Sequence, residues 1–237
     1  MKVFLAGAGG AIGRRLTPLL RAAGHSVSGT TRSADKVERL RALGATPVVV
    51  DVFDAAALTE AVRAAGPDVV MHQLTDLPYA PGSPQYAEGL ARNARLRIEG
   101  TRNLTAAARA AGVARFIAQS VAFIYAEGPG IRGEADALDP DPARAMMIGA
   151  VRSLEDAALA TPQGIVLRYG YLYGPGTWYE RAVKPPSVHV DAAAQAAANS
   201  VNRGGPGIYN VAEDDGAVSS AKAKAELGFD AGFRINP

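Results

Sequence analysis

The apolar positions of this chain fall into short runs that alternate with longer segments of helical spacing. The short runs predict strands over residues 2–6, 25–30, 46–50, 67–73, 114–119 and 164–169. The segments between them predict helices over 11–23, 33–43, 55–65, 85–111 and 143–160. Regular alternation of buried strands with helices is typical of a parallel sheet covered on both faces. We therefore predict an α/β fold with a doubly wound, Rossmann-type sheet.

Downstream of residue 176 the pattern is weaker, although it still predicts elements. We expect strands over 187–190 and 207–211, and helices over 191–202 and 219–227. A proline-rich loop, residues 74–84, follows the fourth predicted strand, at the sheet edge where such folds bind ligands. Because no linker marks a second independent region, we expect one domain over residues 1–237.

A glycine-rich turn, Gly7-Ala-Gly-Gly-Ala-Ile-Gly13, joins the first predicted strand to the first helix. Glycine permits a tight bend with positive φ, close approach of the backbone to a phosphate, and close packing of helix on strand. The helix start then offers unpaired amides and a positive dipole end to a pyrophosphate. This context favours a dinucleotide site over the alternative, a glycine turn without a ligand.

Composition narrows the classes of protein and partner. The chain has 237 residues, 48% of them hydrophobic, which is enough for a sizeable core. It has no cysteine, so we expect no disulfides, no thiolate metal site and a cytoplasmic location, and we predict no metal cofactor. The net charge of +2 does not favour nucleic acid. No apolar run is long enough to span a bilayer, and the N-terminus does not resemble a leader.

Further groups of residues accompany the glycine turn along the chain. They are Asp51-Val52, Asn93 with Gly100-Thr-Arg-Asn-Leu104, Arg115-Phe116 leading to Ser120, Leu167-Arg168, Tyr173-Gly-Pro-Gly176 and His189-Val-Asp191. Together with Gly7-x-x-Gly10-x-x-Gly13, this set resembles the extended and atypical branches of the short-chain dehydrogenase/reductase superfamily. That superfamily includes nucleotide-sugar epimerases and dehydratases. The resemblance covers residues 1–212.

The resemblance implies a set of cofactor-binding residues. In that family Asp51 and Val52 would border the adenine, while Gln73 and Leu74 would run past the ribose and nicotinamide. The full predicted set is Gly7, Gly10, Ala11, Ile12, Gly13, Thr31, Arg32, Asp51, Val52, Gln73, Leu74, Ser120, Tyr169 and Gly170.

The end of the second predicted strand bears on the choice of cofactor. A site that prefers NAD ends this strand in an acid, whereas an arginine suits the 2′-phosphate of NADP. Here the strand ends Gly29-Thr-Thr-Arg32, with no acid before Asp35. We therefore expect NADP(H) rather than NAD, bound by Arg32 with help from Arg14. The alternative is that Arg32 is a surface arginine at a strand end.

The catalytic residues of the family are not all present. Its members generally use a Ser or Thr together with a Tyr and a Lys four residues later on a helix, where the tyrosine hydroxyl is the general acid/base. Matching Ile124-Tyr125-Ala126 to the family pattern places Val121 at the hydroxyl position, with Ser120 beside it. The same register places Met147 and Val151 at the tyrosine and lysine positions.

Replacement proton donors must come from other positions. Ser120 and Tyr125 are our catalytic candidates, although a buried structural role for Tyr125 is the simpler interpretation. His72 and Tyr171 are further candidates by location, but His72 lies in a strand and is more typical of a core histidine. We interpret His189 as structural.

Two functions remain open, with a third ranked lowest. The first is an NADP(H)-dependent oxidoreductase or epimerase-like enzyme acting on a small carbonyl, alcohol or sugar-related substrate. The second is a non-catalytic dinucleotide-binding protein, serving as a redox sensor or a partner-binding module. The third, an isomerase or dehydratase of nucleotide sugars, would require the missing tyrosine.

The tail of the chain departs from the family as well. Relatives carry longer segments where residues 179–186 and 214–218 form abrupt joins, so the chain is either a shortened member or lacks segments of the natural protein. We divide the predicted domain into a dinucleotide-binding core, 1–176, and a reduced substrate cap with returning core elements, 177–237. By analogy, helices near residues 85–111 and 143–160 would pair two copies into a homodimer.

Overall fold

The computed structural model describes residues 1–79 and 81–235, so residues 236–237 of the predicted cap region lie outside the described part. It contains nine strands: β1 (Lys2–Ala6), β2 (Ser26–Thr31), β3 (Thr46–Val49), β4 (Val69–His72), β5 (Arg115–Val121), β6 (Gln163–Tyr169), β7 (Tyr171–Tyr173), β8 (Ser187–His189) and β9 (Gly207–Val211). Seven of them form one parallel sheet in the order β3-β2-β1-β4-β5-β6-β9. The predicted fold class is confirmed.

Seven α-helices connect these strands: α1 (Gly13–Ala22), α2 (Val37–Ala42), α3 (Ala55–Ala65), α4 (Tyr86–Arg95), α5 (Thr101–Ala110), α6 (Ala145–Leu159) and α7 (Val190–Asn199). One apolar cluster joins the sheet to α1, α2 and α7. A second cluster, on the opposite face, joins it to α3, α5 and α6. Two buried faces explain why the central strands are apolar at nearly every position.

β1 and β4 are neighbours in the middle of the sheet. Successive strands of the chain are added on one side of β1 as far as β3, and from β4 onward on the other side. In open α/β sheets, ligands bind in the crevice beyond the carboxyl ends of strands at such a switch point. The glycine turn follows β1, and the loop that begins at Gln73 follows β4. The fold therefore brings these two segments of sequence together.

The region after residue 176 returns to the main sheet through α7 and β9. Strand β7, for which the sequence pattern predicts no element, pairs in parallel with β8 to form a separate two-stranded sheet. Arg15 of α1 bonds Asp191 at the start of α7, and His189 Nδ1 accepts from the Asp191 amide at 3.2 Å. These contacts support the structural role predicted for His189.

Contacts at the helix starts differ from one helix to the next. Asp54 caps α3, because its carboxylate accepts from the Ala57 amide at 2.9 Å. Ser33 does not cap the following helix; its hydroxyl bonds Asp35 instead. The long helix predicted over 85–111 consists of α4 and α5 joined by a π-helical turn, Leu96–Gly100.

Helices in the described part of the chain lack the combination of length and apolar character needed to cross a membrane.

Candidate active site

The glycine turn is shaped by close contacts between backbone segments. Gly7 has φ +98°, and a Cβ added to it would lie 2.5 Å from the carbonyl oxygen of Gln73. A Cβ added to Gly13 would lie 2.1 Å from the carbonyl oxygen of Gly7. Both positions therefore require glycine, one for the approach of β4 and one for the approach of α1. Gly10 closes the turn by donating to the Gly7 carbonyl at 3.0 Å.

A cavity of about 520 Å³, called here the first cavity, opens beside this turn. Its lining includes seven of the predicted cofactor residues: Gly7, Gly10, Thr31, Arg32, Val52, Gln73 and Leu74. Val52 is held in place by Asn103, whose side-chain amide donates to the Val52 carbonyl at 3.0 Å. Strand ends and turns from four separate segments thus form one pocket at the switch point.

The rim of the first cavity carries positive charge at the end of β2. Arg32, Ser33 and Lys36 all line it, and the Arg32 side chain is 54% exposed. One acid, Asp76, also lines the cavity. Arg92 neutralises that carboxylate with two hydrogen bonds of 2.9 and 3.1 Å, whereas Arg32 stands 3.8 Å away.

The loop after β4 forms the wall of the first cavity and is pinned by side chains from three elements. The Leu74 amide donates to His72 Nδ1 at 3.2 Å, and Gln119 donates to the Leu74 carbonyl at 2.7 Å. Farther along, the Asp76 amide donates to the Asn93 side chain at 3.0 Å. Gln73 is buried, and its Oε1 has no hydrogen-bond partner among the described residues.

His72 is a buried, neutral support for this loop. Its Nδ1 accepts from Leu74, so Nε2 carries the proton and donates to Thr101 Oγ1 at 3.0 Å. Burial, and to a smaller degree the charge of Arg97, lowers the pKa of His72 to about 4. The prediction of a satisfied core histidine agrees with this geometry.

A larger cavity of about 1470 Å³, called here the second cavity, adjoins the first, and Thr75 lines both. Its lining includes Ala11, Ser120, Tyr125, Tyr169 and Gly170 from the predicted site. Tyr169 is buried; burial raises the pKa of its phenol, which accepts from Gln73 Nε2 at 3.4 Å.

The two predicted catalytic hydroxyls belong to a buried ionic network beneath the second cavity. Ser120 Oγ donates to Glu155 at 2.6 Å, and Arg168 bonds both oxygens of the same carboxylate at 2.8 and 2.6 Å. The Tyr125 hydroxyl accepts from Arg168 at 2.8 Å and donates to Asn210 at 2.6 Å. Each hydroxyl proton is thus already committed to a protein acceptor. Burial raises the pKa of Tyr125, although Arg168 and Asn210 oppose that shift.

The positions at which the family pattern places its proton-transfer residues are apolar. Val121 and Met147 line the second cavity, and Val151 is fully buried in a small cluster beside them. These three side chains contain neither a phenol nor an ammonium group, so they cannot form the pair that the family uses for proton transfer.

Four predicted residues lie outside both linings or away from their expected partners. Ile12 is buried in the core, and Gly13 packs on Gly7. Asp51 is exposed and accepts from the Phe53 amide at 2.9 Å. Arg14 donates to the Gly10 carbonyl at 3.4 Å and lies against Gly176, away from the cavity rim at Arg32.

Sequence reasoning missed Arg97, which lies in the π-helical turn and lines the second cavity. Its pKa is lowered to about 10 by burial, a change that Glu155 and Tyr86 partly offset. An arginine in a helical segment usually belongs to a solvated face, so the sequence alone gave little sign of this position. A π-helical turn of this kind is frequent at functional sites.

The residues of the first cavity fit a dinucleotide. The turn exposes Gly9 and Gly10 to the cavity at the start of α1, where backbone amides and the helix dipole favour a pyrophosphate. Among the described residues, no side chain caps α1. The Gly10 amide is bonded to Gly7, so the neighbouring amides of Gly9, Ala11 and Ile12 are the ones that a phosphate could accept from. The unpaired Gln73 Oε1 adds a buried acceptor at the same crevice.

Comparison with known proteins agrees with this geometry. The family model described as NAD(P)H-binding matches residues 7–159. A 3-diazoavenalumate denitrifying reductase of a Streptomyces species is 41% identical over an alignment of 244 positions. The alignment covers 93% of this chain and 78% of that protein. A 4-hydroxy-2-methyl-3-oxo-4-farnesyl-3,4-dihydroquinoline-1-oxide ketoreductase of Stigmatella aurantiaca is 31% identical over 54% of this chain and 36% of its own length.

Solved structures agree with the fold. The UDP-glucose 4-epimerase of Thermotoga maritima, in complex with UDP-glucose, has a TM-score of 0.79 at 20% identity and covers 99% of this chain and 94% of its own. The Thermus thermophilus UDP-glucose 4-epimerase, in complex with NAD, has a TM-score of 0.78 at 20% identity, over 99% and 95%. These likenesses show the fold. The matched family model shows that the chain belongs to the NAD(P)H-binding family and, with the Streptomyces relative, it confirms the predicted resemblance.

Proposed function

We propose that this protein is an NAD(P)H-dependent reductase that acts on a small substrate held in the second cavity. The observation that carries the proposal is the absence of a free proton donor at the expected place. Met147 and Val151 occupy the positions of the usual acid and its lysine, while the hydroxyls of Ser120 and Tyr125 donate to Glu155 and Asn210.

A reductase whose usual proton-donor positions are apolar is suited to a substrate whose reduction consumes no proton. Reduction of a ketone requires both a hydride and a proton, and the proton is usually delivered by a positioned side chain. Reductive loss of an aryl diazonium group, which carries a positive charge, requires only the hydride. A C–H bond forms at the carbon that carried the nitrogen, the C–N bond breaks, dinitrogen leaves, and NAD(P)H becomes NAD(P)⁺.

Similarity to the Streptomyces reductase supports the same class of substrate for this chain. That relative is named for the removal of nitrogen from a diazo carboxylate, and it is 41% identical over most of this chain. We therefore propose an aryl diazonium carboxylate as the substrate. The 244 aligned positions exceed the 237 residues of this chain, so the relative carries inserted residues that this chain lacks.

The cofactor supplies the hydride when bound, and the protein supplies position. The glycine turn would bind the pyrophosphate, and the pinned loop Gln73–Asp76 would hold the reactive end between the two cavities. The apolar side chains of Val121 and Met147 would limit access of water to the reacting carbon. Limited water access favours reduction over hydrolysis of the diazo group.

The proposal is tested by reducing an aryl diazonium carboxylate with NADPH deuterated at C4. We expect stoichiometric release of dinitrogen and one deuterium in the product at the carbon that bore the diazo group. The same reaction with unlabelled NADPH in D₂O should give product without that deuterium. Incorporation of solvent deuterium there would contradict hydride transfer from the cofactor to this carbon. The absence of turnover together with tight NADPH binding would contradict the reductase and favour a binding protein.

Two variants separate this proposal from acid-catalysed carbonyl reduction. Tyr125→Phe and Ser120→Ala should each lower kcat by less than about tenfold, since neither hydroxyl is asked to deliver a proton. Loss of a general acid typically lowers the rate by about 10²–10⁴-fold. If the wild-type protein reduces ketones and Tyr125→Phe lowers that rate by about 10²–10⁴-fold, the protein is a carbonyl reductase that uses Tyr125 as its acid.

We further propose that NADP(H) is preferred over NAD(H). Arg32 and Lys36 line the first cavity at the end of β2, and the one acid there is already paired with Arg92. Arg32→Ala should weaken NADPH binding by about 10–100-fold and NADH binding much less, because a charge-assisted contact to phosphate is lost. Arg109→Ala, on the exposed face of α5, is the control. Equal losses for both cofactors would refute the preference.

The homodimer stays a prediction. Ile98 and Met146 are exposed large apolar side chains on the helical faces that would pair, being 45% and 55% exposed. Light scattering on the purified protein would measure the oligomeric state directly.

A further inference from the structure

The second cavity is strongly positive for a protein of nearly balanced charge. Its lining contains four cationic side chains, those of Arg97, Arg132, Arg144 and Lys184, against one carboxylate, that of Glu127. Arg144 is paired with Asp139, which leaves three cations facing the one carboxylate. The whole chain carries a net charge of only +2. Positive charge in a concave site raises the local concentration of anions. The cavity is therefore suited to an anionic ligand.

Arg97 differs from the other arginines of its helical region. Arg92 pairs with Asp76 and Arg95 pairs with Glu99, whereas no ion pair or side-chain hydrogen bond joins Arg97 to another described residue. Arg102 is exposed to solvent, but Arg97 is partly buried at the cavity wall. A guanidinium withdrawn from water without a partner is unfavourable unless a ligand supplies the counter-charge.

The nearest acid cannot supply that counter-charge. Glu155 influences Arg97 electrostatically, but both of its oxygens are already bonded, by Arg168 and Ser120. Burial lowers the pKa of Arg97 to about 10, so the guanidinium is still charged at neutral pH. Its five donors in a fixed fork match the geometry of a carboxylate.

The remaining walls of the second cavity are suited to an aromatic ring. Phe123 and Tyr171 stack face to face with centroids 4.0 Å apart, and Lys184 lies 4.6 Å from the Tyr171 centroid. Tyr86 and Trp178 also line the cavity. Flat aromatic surfaces bind rings by offset stacking and by edge contacts.

We propose that Arg97 binds the carboxylate of an aromatic acid substrate, with the ring held among Tyr86, Tyr171 and Trp178. This assignment rests on the proposed reductase function and names the substrate class of the same site. Arg97 is thus a specificity-determining residue, since it would reject the neutral analogue of an acid that it accepts.

The test compares two ligands that differ in charge and little in shape. Cinnamate and its neutral amide, cinnamamide, are titrated calorimetrically into the full-length protein, with and without saturating NADP⁺. The wild-type protein should bind cinnamate at least about tenfold more tightly than cinnamamide. Equal affinities in the wild type would overturn the assignment without any variant.

Three variants then locate the charge responsible. Arg97→Gln should abolish the preference for the acid while cinnamamide affinity changes little. Arg102→Gln, which removes a solvent-exposed charge from the same helical region, should retain the preference. If the preference persists in Arg97→Gln and disappears in Lys184→Gln, the assignment to Arg97 is wrong. Unchanged NADPH affinity in each variant reports that the fold is intact.

These readouts distinguish the inference from the function on which it rests. Charge preference that depends on Arg97, in a protein that reduces no diazo compound, would support the carboxylate site and refute the proposed reaction. Turnover of a diazo carboxylate and of its amide with equal KM would support the proposed reaction and refute the carboxylate site.

Discussion

The two cavities at the carboxyl edge of the sheet are constructed in different ways. The first is formed by backbone: Gly7 and Gly13 permit contacts that a Cβ would prevent, and Gly9 and Gly10 expose the turn to the cavity. The second is formed by side chains from segments far apart in the sequence, supported by the ionic network of Glu155 and Arg168. A site built from backbone suits a ligand that many proteins of one fold share, whereas a site built from side chains can differ from one protein to the next.

This contrast predicts that changes below the second cavity affect stability before they affect chemistry. Glu155→Gln should lower the free energy of unfolding by about 3–5 kcal/mol, because Arg168 would be left buried without its partner. Glu38→Gln, which breaks an exposed pair with Arg41, should change it by less than about 1 kcal/mol. Urea unfolding measures both. Unaltered stability with collapsed turnover would make the network catalytic rather than structural.

His72 supports the wall that the two cavities share, and it should make stability depend on pH. Its pKa is lowered from 6.5 to about 4, so the unfolded chain binds a proton at a higher pH than the folded one. This contribution is fully present above pH 6.5 and is lost as pH falls towards 4, up to about 3 kcal/mol. Unfolding measured from pH 7 to 4 should show a shallower decline in His72→Gln. Identical slopes would contradict a buried neutral imidazole.

The smallest of the three effects concerns the first cavity. Gly13→Ala places a Cβ 2.1 Å from the Gly7 carbonyl oxygen, so the turn must shift, and NADPH affinity should fall by about 100-fold. Gly149→Ala is the matched control, since a Cβ there meets nothing within 4 Å and alanine favours a helix. Binding is followed by NADPH fluorescence. Equal affinities in the two variants would show that the backbone contact is not what shapes the site.

Much of the fold and of the first cavity could be predicted because their signals are local. Each strand, each helix and the Gly7–Gly13 turn is contained in a few consecutive residues. Seven of the predicted cofactor residues line the first cavity for the same reason. β7 was missed because its three residues gain strand character only by pairing with β8, fourteen residues further on.

The second cavity could not be predicted to the same extent, because its chemistry depends on pairings between distant residues. The sequence identified Ser120 and Tyr125 as candidates near the site, but it did not reveal that Glu155 and Asn210 accept their protons. Arg97 was overlooked because its lack of a partner is a property of the folded chain. The spacing of residues along the sequence does not show which distant side chains will be hydrogen-bonded to each other in the folded protein.

The small sheet of β7 and β8 has a consequence for how such proteins diversify. It fastens both ends of the intervening segment, residues 174–186, beside the main sheet, with the Tyr171 amide donating to the Pro186 carbonyl at 2.7 Å. Lengthening a loop whose ends are fixed adds little entropy cost, so this segment can grow or shrink while the seven-stranded sheet is unchanged. Insertions and deletions there can change the size of the second cavity while the main sheet keeps its fold.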